Sequence, residues 1–306
     1  MYDVIIIGGG PGGVAAGVYV ARKQLKALFL TESFNSQSVV SASIENWIGT
    51  ETIAGWEFGQ ALEKHLRAQE GIEIKTDAKV VSVTPQSGGG YGVQTQSGEI
   101  YMSKTIIIAS GGRHRHLDIP GEEQLNGKGV AYCSTCDAPF FRGKKVAVVG
   151  GGNAGLEAVE DLLPYADQIL LLVRSGEVKG DQVTQDKVFN ASKVSVLYHT
   201  VPEAILGEST VSGVRIRNTQ SGTVETIDLD GVFVEIGMVP NTEFVKEILD
   251  LNERGEIILD HRTRATSLPG IFAAGDATDA PYKQNNISAG DGVAAALSVY
   301  DYLRKQ

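Results

Sequence analysis

Apolar residues in this chain gather in short continuous runs, and the two most regular stretches share one order. Residues 3–7, Asp-Val-Ile-Ile-Ile, form a run too short for a helix, and the glycine cluster GGGPGG follows at once. Val14 to Lys23 then carries helical spacing, and Lys26 to Leu30 is a second apolar run ending in Thr31-Glu32. Strand, glycine turn, helix, strand is a βαβ unit. The order returns in residues 145–149 (Lys-Val-Ala-Val-Val), GGGNAG, Leu156 to Leu163, and Ile169 to Val173. The two glycine loops begin at Gly8 and Gly150, 142 positions apart (150 minus 8).

Between the units lie alternating β segments at Val80–Val83 and Tyr91–Thr95 and a buried-type strand, Thr105 to Ala109. Alternation resumes at Val211–Arg217 and Thr226–Ile236, followed by a strand at Gly270–Ala274 and the turn Gly275-Asp276. A final helix of about fifteen residues ends near Arg304, with Val293, Ala296, Leu297, Tyr300 and Leu303 as its apolar face. Gly111–Pro120 and Gly237–Thr242 read as connectors, placed where a discontinuous first domain hands the chain to an inserted second one.

At 306 residues the chain is about twice a typical domain, so two domains are expected. A 42% hydrophobic and 21% charged composition suits a globular protein with a full core. The net charge of −10 comes without any basic tract, which argues against nucleic acid and anionic membranes as partners. No basic segment followed by a long apolar one opens the chain, and no run approaches membrane-span length, so a cytoplasmic setting is expected.

Gly8, Gly10 and Gly13 have the dinucleotide-fingerprint spacing directly after a strand. The first glycine permits the turn, the second lets a pyrophosphate approach, and the third lets helix and strand pack. Unpaired N–H groups at the helix start then face the phosphates. Glu32, 24 positions after Gly8, stands where a carboxylate accepts from a ribose diol. Gly150, Gly152 and Gly155 repeat the fingerprint, but the following strand ends Val173-Arg174-Ser175 without an acid. Arg174 and Lys179 supply positive charge instead, which tilts towards a 2′-phosphate; plain solvated surface is the alternative.

The chain has two cysteines, in Cys133-Ser134-Thr135-Cys136-Asp137. Two intervening residues permit an exchange-prone disulfide, and Asp137 can hold a proton for the thiols. A purely structural disulfide closing so short a loop would add little stability in a reducing compartment. The pair cannot by itself supply four metal ligands, and His114 and His116 lack zinc-finger spacing, so no metal is expected.

Taken together and in this order, these residues resemble the low-molecular-weight thioredoxin reductases over nearly the whole chain. The CxxCD motif directly precedes the second βαβ unit, as in that family. Gly270–Gly292 (GIFAAGDATDAPYKQNNISAGDG) looks like the family's second FAD segment. Gly176–Lys187 and the ending ALSVYDYLRK look like the flavoprotein component of alkyl hydroperoxide reductase, without its N-terminal thioredoxin-like extension. The chain departs from the family where Asn35-Ser36-Gln37-Ser38 replaces Gly-Gly-Gln-Leu, and where Val173-Arg174-Ser175 with Lys179 replaces HRRxxxR.

The resemblance implies an α/β fold with two Rossmann-like dinucleotide-binding domains, the second inserted in the first. The FAD-binding domain would be residues 1–115 and 243–306, and the NAD(P)H-binding domain residues 116–242. It implies that Gly275 and Asp276 bind FAD, that Gln37, Asn46, Gln284 and the backbone of Asn285 approach the flavin, and that the last helix points its N-terminus at the flavin ring. Electrons would pass from NADPH or NADH through FAD to Cys133–Cys136, with Asp137 handling a proton. They would then reach thioredoxin or a thioredoxin- or glutaredoxin-like carrier, which could feed a peroxiredoxin. The two domains would rotate about the connectors, and a homodimer is expected. The rival readings are a dithiol oxidase using oxygen, a ferredoxin-fed thioredoxin reductase, and a non-catalytic flavin-binding sensor. GGGNAG opposes the first and the complete CxxCD opposes the last.

Overall fold

The computed structural model describes residues 1–41 and 43–306. The N-terminal part runs β1 (Tyr2–Ile7), α1 (Pro11–Arg22), β2 (Ala27–Leu30), α2 (Gly55–Arg67), β3 (Ile72–Lys75), β4 (Val80–Pro85), β5 (Tyr91–Thr95) and β6 (Ile100–Ile108). After the connector β7 (Gly112–His114) come β8 (Val130–Ala131), α3 (Ser134–Asp137), β9 (Lys145–Val149), α4 (Asn153–Leu162), β10 (Gln168–Val173) and α5 (Gln182–Asn190). Then follow β11 (Val194–Tyr198), β12 (Thr200–Leu206), β13 (Gly213–Asn218), β14 (Val224–Asp228) and β15 (Gly231–Val234). The chain returns through β16 (Met238–Pro240) to β17 (Ile271–Ala273) and α6 (Asn285–Leu303). Two compact units result, one of residues 1–113 and 239–306 and one of residues 114–238.

The first unit is built on β6. Its Thr105–Ile108 half runs parallel to β1, its Ile106–Ile108 stretch runs parallel to β17, and its Ile100–Ser103 half pairs antiparallel with β5. The parallel strands therefore stand in the order β3-β2-β1-β6-β17, with the β4–β5 hairpin on the same sheet. Strand alternation splits β1 between two cores: Ile5 and Ile7 pack with Leu28 and Ile106, while Val4 and Ile6 pack with α1 and α6. The second unit repeats the parallel order as β11-β10-β9-β15-β8, beside an antiparallel sheet β12-β13-β14. Val146 and Val148 of β9 face α4, whereas Ala147 and Val149 face β13. Among the described residues no helix is long and apolar enough to cross a membrane.

The last helix differs from expectation. It has 19 residues rather than about fifteen, and Leu297 is exposed. The buried face is Ser288, Asp291, Gly292, Ala295, Ala296 and Val299. The cause is its close approach to α1: a Cβ on Gly292 would stand 2.0 Å from the Gly12 carbonyl oxygen. Small residues must turn inward there, which pushes the large ones outward. The alternating stretch Thr226–Ile236 also proves to be two strands in different sheets, because β14 joins the antiparallel sheet and β15 the parallel one.

Two glycines on α6 give a direct test of this packing. Gly290 has open space around its Cβ position, so Gly290→Ala should gain about 0.5–1 kcal/mol of helix propensity. Gly292→Ala should lose about 1–3 kcal/mol or more through overpacking. Chemical unfolding followed by circular dichroism compares the two, and equal stability would refute the close contact.

Candidate functional site

Each glycine loop sits where the strand order reverses, between β1 and β6 in one unit and between β9 and β15 in the other. In open α/β sheets that switch point forms the ligand crevice. Gly8 has φ of +117°, and a Cβ there would lie 2.1 Å from the Ala109 carbonyl oxygen. A Cβ on Gly13 would lie 1.8 Å from the Gly8 carbonyl oxygen. The second unit reproduces this: Gly150 has φ of +142° and its Cβ would meet the Glu235 carbonyl oxygen at 2.2 Å, while that of Gly155 would meet Gly150 at 1.9 Å. The chain's own packing thus demands the first and third glycines.

The middle glycines are different. The nearest atom to a Cβ on Gly10 is the Ser36 Cβ at 3.8 Å, and for Gly152 it is the Lys179 carbonyl oxygen at 3.7 Å. Neither clashes, so no contact within the chain explains a glycine there. Both are helix N-caps without a side-chain acceptor, so the first-turn N–H groups of α1 and α4 are left for something else. A bare backbone, free N–H groups and the positive end of a helix dipole suit a pyrophosphate. In the first unit the Ser36 Oγ is buried beside this loop without a partner among the described residues, as a polar ligand would require.

The other candidates of the first unit fall into two groups. Glu32 is exposed just beyond β2, 3.6 Å from the Lys79 ammonium. Around the start of α6, Asn46 Nδ2 donates to Gln284 Oε1 at 3.4 Å, Asn286 Nδ2 donates to the Asn46 carbonyl at 2.7 Å, and Ser38 Oγ donates to Asn285 Oδ1 at 3.0 Å. Gln37 opens the single 3-10 turn that contains Ser38. Asp276 follows the buried Gly275 and accepts from Ser288 Oγ at 3.1 Å. Burial pushes the Asp276 carboxyl upward, against the pull of the Ser288 hydroxyl and the Lys283 charge.

In the second unit Arg174 is exposed past the end of β10. Lys179 joins the glycine loop through its backbone, its N–H donating to the Gly151 carbonyl at 2.6 Å, but its exposed ammonium stands 3.6 Å from Glu177. Cys133 and Cys136 form a disulfide at the head of α3. The Cys133 carbonyl accepts from Cys136 N–H at 3.2 Å and Asp137 N–H at 3.0 Å, which sets the turn. Asp161, on α4, accepts from Ser134 Oγ at 2.8 Å and Thr135 Oγ1 at 3.1 Å and so fixes α3. Burial raises Asp137 to about 6.

Sequence reasoning missed Ser36, Asp161 and Glu235. Only the last carries a signal in the chain itself, an acid closing the otherwise apolar strand Gly-Val-Phe-Val.

The comparisons with known proteins agree with this geometry. The family model described as pyridine nucleotide-disulphide oxidoreductase matches residues 2–292. An alkyl hydroperoxide reductase component of Staphylococcus aureus (strain MRSA252) is 41% identical over 302 residues, covering 99% of this chain and 59% of that protein. A Bacillus subtilis (strain 168) protein named NADH dehydrogenase is 38% identical, covering 99% and 58%. The chain therefore spans just under three-fifths of the length of these curated relatives. The crystal structure of thioredoxin reductase from Streptococcus pyogenes MGAS5005 superposes with a TM-score of 0.93 at 34% identity, covering 100% of this chain and 99% of that one. With two glycine loops on two parallel sheets and a CxxC disulfide, the chain belongs to the pyridine nucleotide-disulphide oxidoreductases, flavoproteins that use FAD and NAD(P)H.

Proposed function

We propose that this protein is a flavin-dependent disulfide reductase that passes electrons from a nicotinamide to the disulfide of a thioredoxin-like carrier through Cys133 and Cys136. The observation that carries this reading is the Cys133–Cys136 disulfide at the head of α3, in the same compact unit as the second glycine loop and next to Asp137, whose carboxyl burial raises to about 6.

FAD, when bound, supplies a two-electron carrier between the nicotinamide and the disulfide. The loop from Gly8 to Gly13 would hold its pyrophosphate, with Ser36 as a further donor, Glu32 at the ribose and Asp276 on the other side of the chain's FAD segment. Gln37, Asn46, Gln284 and the N–H groups at the start of α6 would orient the ring, where the positive end of a 19-residue helix favours negative charge. Gly150, Gly152 and Gly155 would hold the nicotinamide dinucleotide.

In the dithiol form one cysteine gives its proton to Asp137 and attacks the carrier disulfide as a thiolate. A mixed disulfide forms and the carrier's own S–S bond breaks, its leaving sulfur taking a proton. The second cysteine then attacks the mixed disulfide, which restores Cys133–Cys136 and releases the carrier as a dithiol. With a pKa near 6, Asp137 is largely ionised at neutral pH and ready to accept the first proton.

Three measurements test this reading. Gly10→Ala should fold normally but take up FAD weakly, since its Cβ meets only ligand space; titration of the flavin-free protein with FAD reads this, and unchanged affinity would remove the pyrophosphate from that loop. Cys133→Ser and Cys136→Ser should each abolish disulfide turnover while flavin reduction by nicotinamide persists, as the thiols act downstream. Either serine variant turning over a protein disulfide near the wild-type rate would end the proposed relay. Discrimination between NADH and NADPH should be weak, because neither a ribose carboxylate nor a complete basic cluster follows β10. Arg174→Ala should lower kcat/KM for NADPH more than for NADH, by only a few-fold since an exposed contact is worth about 0.2–1 kcal/mol. A wild-type preference above about a thousandfold, roughly 4 kcal/mol, would mean that other residues set the choice.

A further inference from the structure

Ala109 and Glu235 occupy equivalent positions in the two units. Each follows the strand that flanks the switch point, and each carbonyl oxygen lies where a Cβ on the first fingerprint glycine would stand. The first unit keeps an alanine there. The second has a glutamate whose backbone lies against the glycine loop, and dinucleotide binding gives no reason for an acidic residue there. The Glu235 N–H donates to the Val149 carbonyl at 2.9 Å, which holds the residue against β9 and the glycine loop. Its carboxyl reaches in the other direction and takes a hydrogen bond from the Ser134 N–H, the first residue of the helix that bears the disulfide. Its Oε1 is buried without a partner among the described residues. The charged groups acting on it are Asp137 on α3 and Asp161 and Glu157 on α4, all carboxyls.

We propose that Glu235 is a positioning residue of the redox centre, whose carboxyl braces α3 against the second glycine loop and sets how readily the reduced Cys133–Cys136 pair releases a proton. This rests on the disulfide-reductase reading above. Asp137 and Glu235, whose carboxyls are both shifted by burial, then divide the work. Burial raises Asp137 to about 6, so it is an ionised acceptor at neutral pH. Burial first, and the neighbouring carboxylates second, raise Glu235 to about 8 against the Ser134 hydrogen bond, so it keeps its proton at neutral pH. A neutral Glu235 leaves room for one negative charge on sulfur. As pH rises through about 8 the carboxyl ionises, and a second negative charge beside the pair opposes thiolate formation. The proton leaves before the exchange step, so no electron passes through Glu235.

The test is the pH dependence of thiol reactivity in wild type and Glu235→Gln, which keeps an oxygen acceptor for Ser134 but cannot ionise. Both proteins are reduced with dithiothreitol, freed of it, and alkylated with iodoacetamide from about pH 6 to about pH 10. The two rates should agree within about twofold near pH 7, and the variant should react at least about fivefold faster near pH 9, as one nearby charge moves a thiol by about one pH unit. Superimposed curves would overturn the proposal, since a merely structural role leaves them alike. Should the variant fail to fold, the infrared carbonyl band of the protonated carboxyl in wild type decides. It should titrate near pH 8 and move when dithiothreitol reduces Cys133–Cys136, and an unmoved band overturns the proposal. Neither readout needs turnover. A wild type that reduces no carrier disulfide near pH 7 therefore defeats the functional reading separately.

Discussion

A backbone with no side chain must lie against another backbone at the end of two strands, and most of this molecule follows from that contact. At Gly8 and Gly150 the chain turns with positive φ while a neighbouring carbonyl occupies the place of a Cβ. Only glycine satisfies both conditions. The turn brings the first N–H groups of α1 and α4 to the switch point of their sheets, and Gly13 and Gly155 then let each helix lie on its own loop. Without this approach the helices would start elsewhere and their free N–H groups would not converge on a crevice. The same closeness extends to α6, where Gly12 and Gly292 bring two helices together and a face of small residues is forced inward.

Placing the disulfide in the second unit gives it an unusual electrical setting. Three carboxyls, on Asp137, Glu157 and Asp161, act on Glu235 beside α3. Reactive cysteines elsewhere gain thiolate character from nearby positive charge. Here the surrounding charge is negative, and burial keeps part of it protonated. The environment therefore favours the disulfide or the neutral dithiol over a long-lived thiolate.

The two units share a strand order but differ in how the strand ends are furnished. In the first, polar side chains from residues far apart in the chain, Ser38, Asn46, Gln284 and Asn285, are tied together at the head of α6. In the second, the groups beyond β10 are exposed, and one of the two cations is engaged by Glu177. The first crevice is more fully built by its own residues.

The sequence determined whatever depends on neighbours along the chain. Strand, glycine loop and helix were legible twice because apolar runs and glycine spacing are local signals, and Cys133 and Cys136 stand only three positions apart. The helical spacing of Phe58, Leu62 and Leu66 in α2 lies outside the elements read from the sequence, and the run Thr226–Ile236 hid a change of sheet. What only the tertiary structure decided is what stands beside what. The inward face of α6 keeps Ala296 of the apolar pattern read from its residues but leaves Leu297 exposed, because α1 approaches closely there. Glu235 is 99 positions from Cys136 (235 minus 136), yet parallel pairing of β15 with β9 and the packing of α3 bring its carboxyl to Ser134. Periodicity encodes which side of an element is apolar. The distance between two polar groups on different elements depends on sheet order and helix approach, and no stretch of sequence carries these alone.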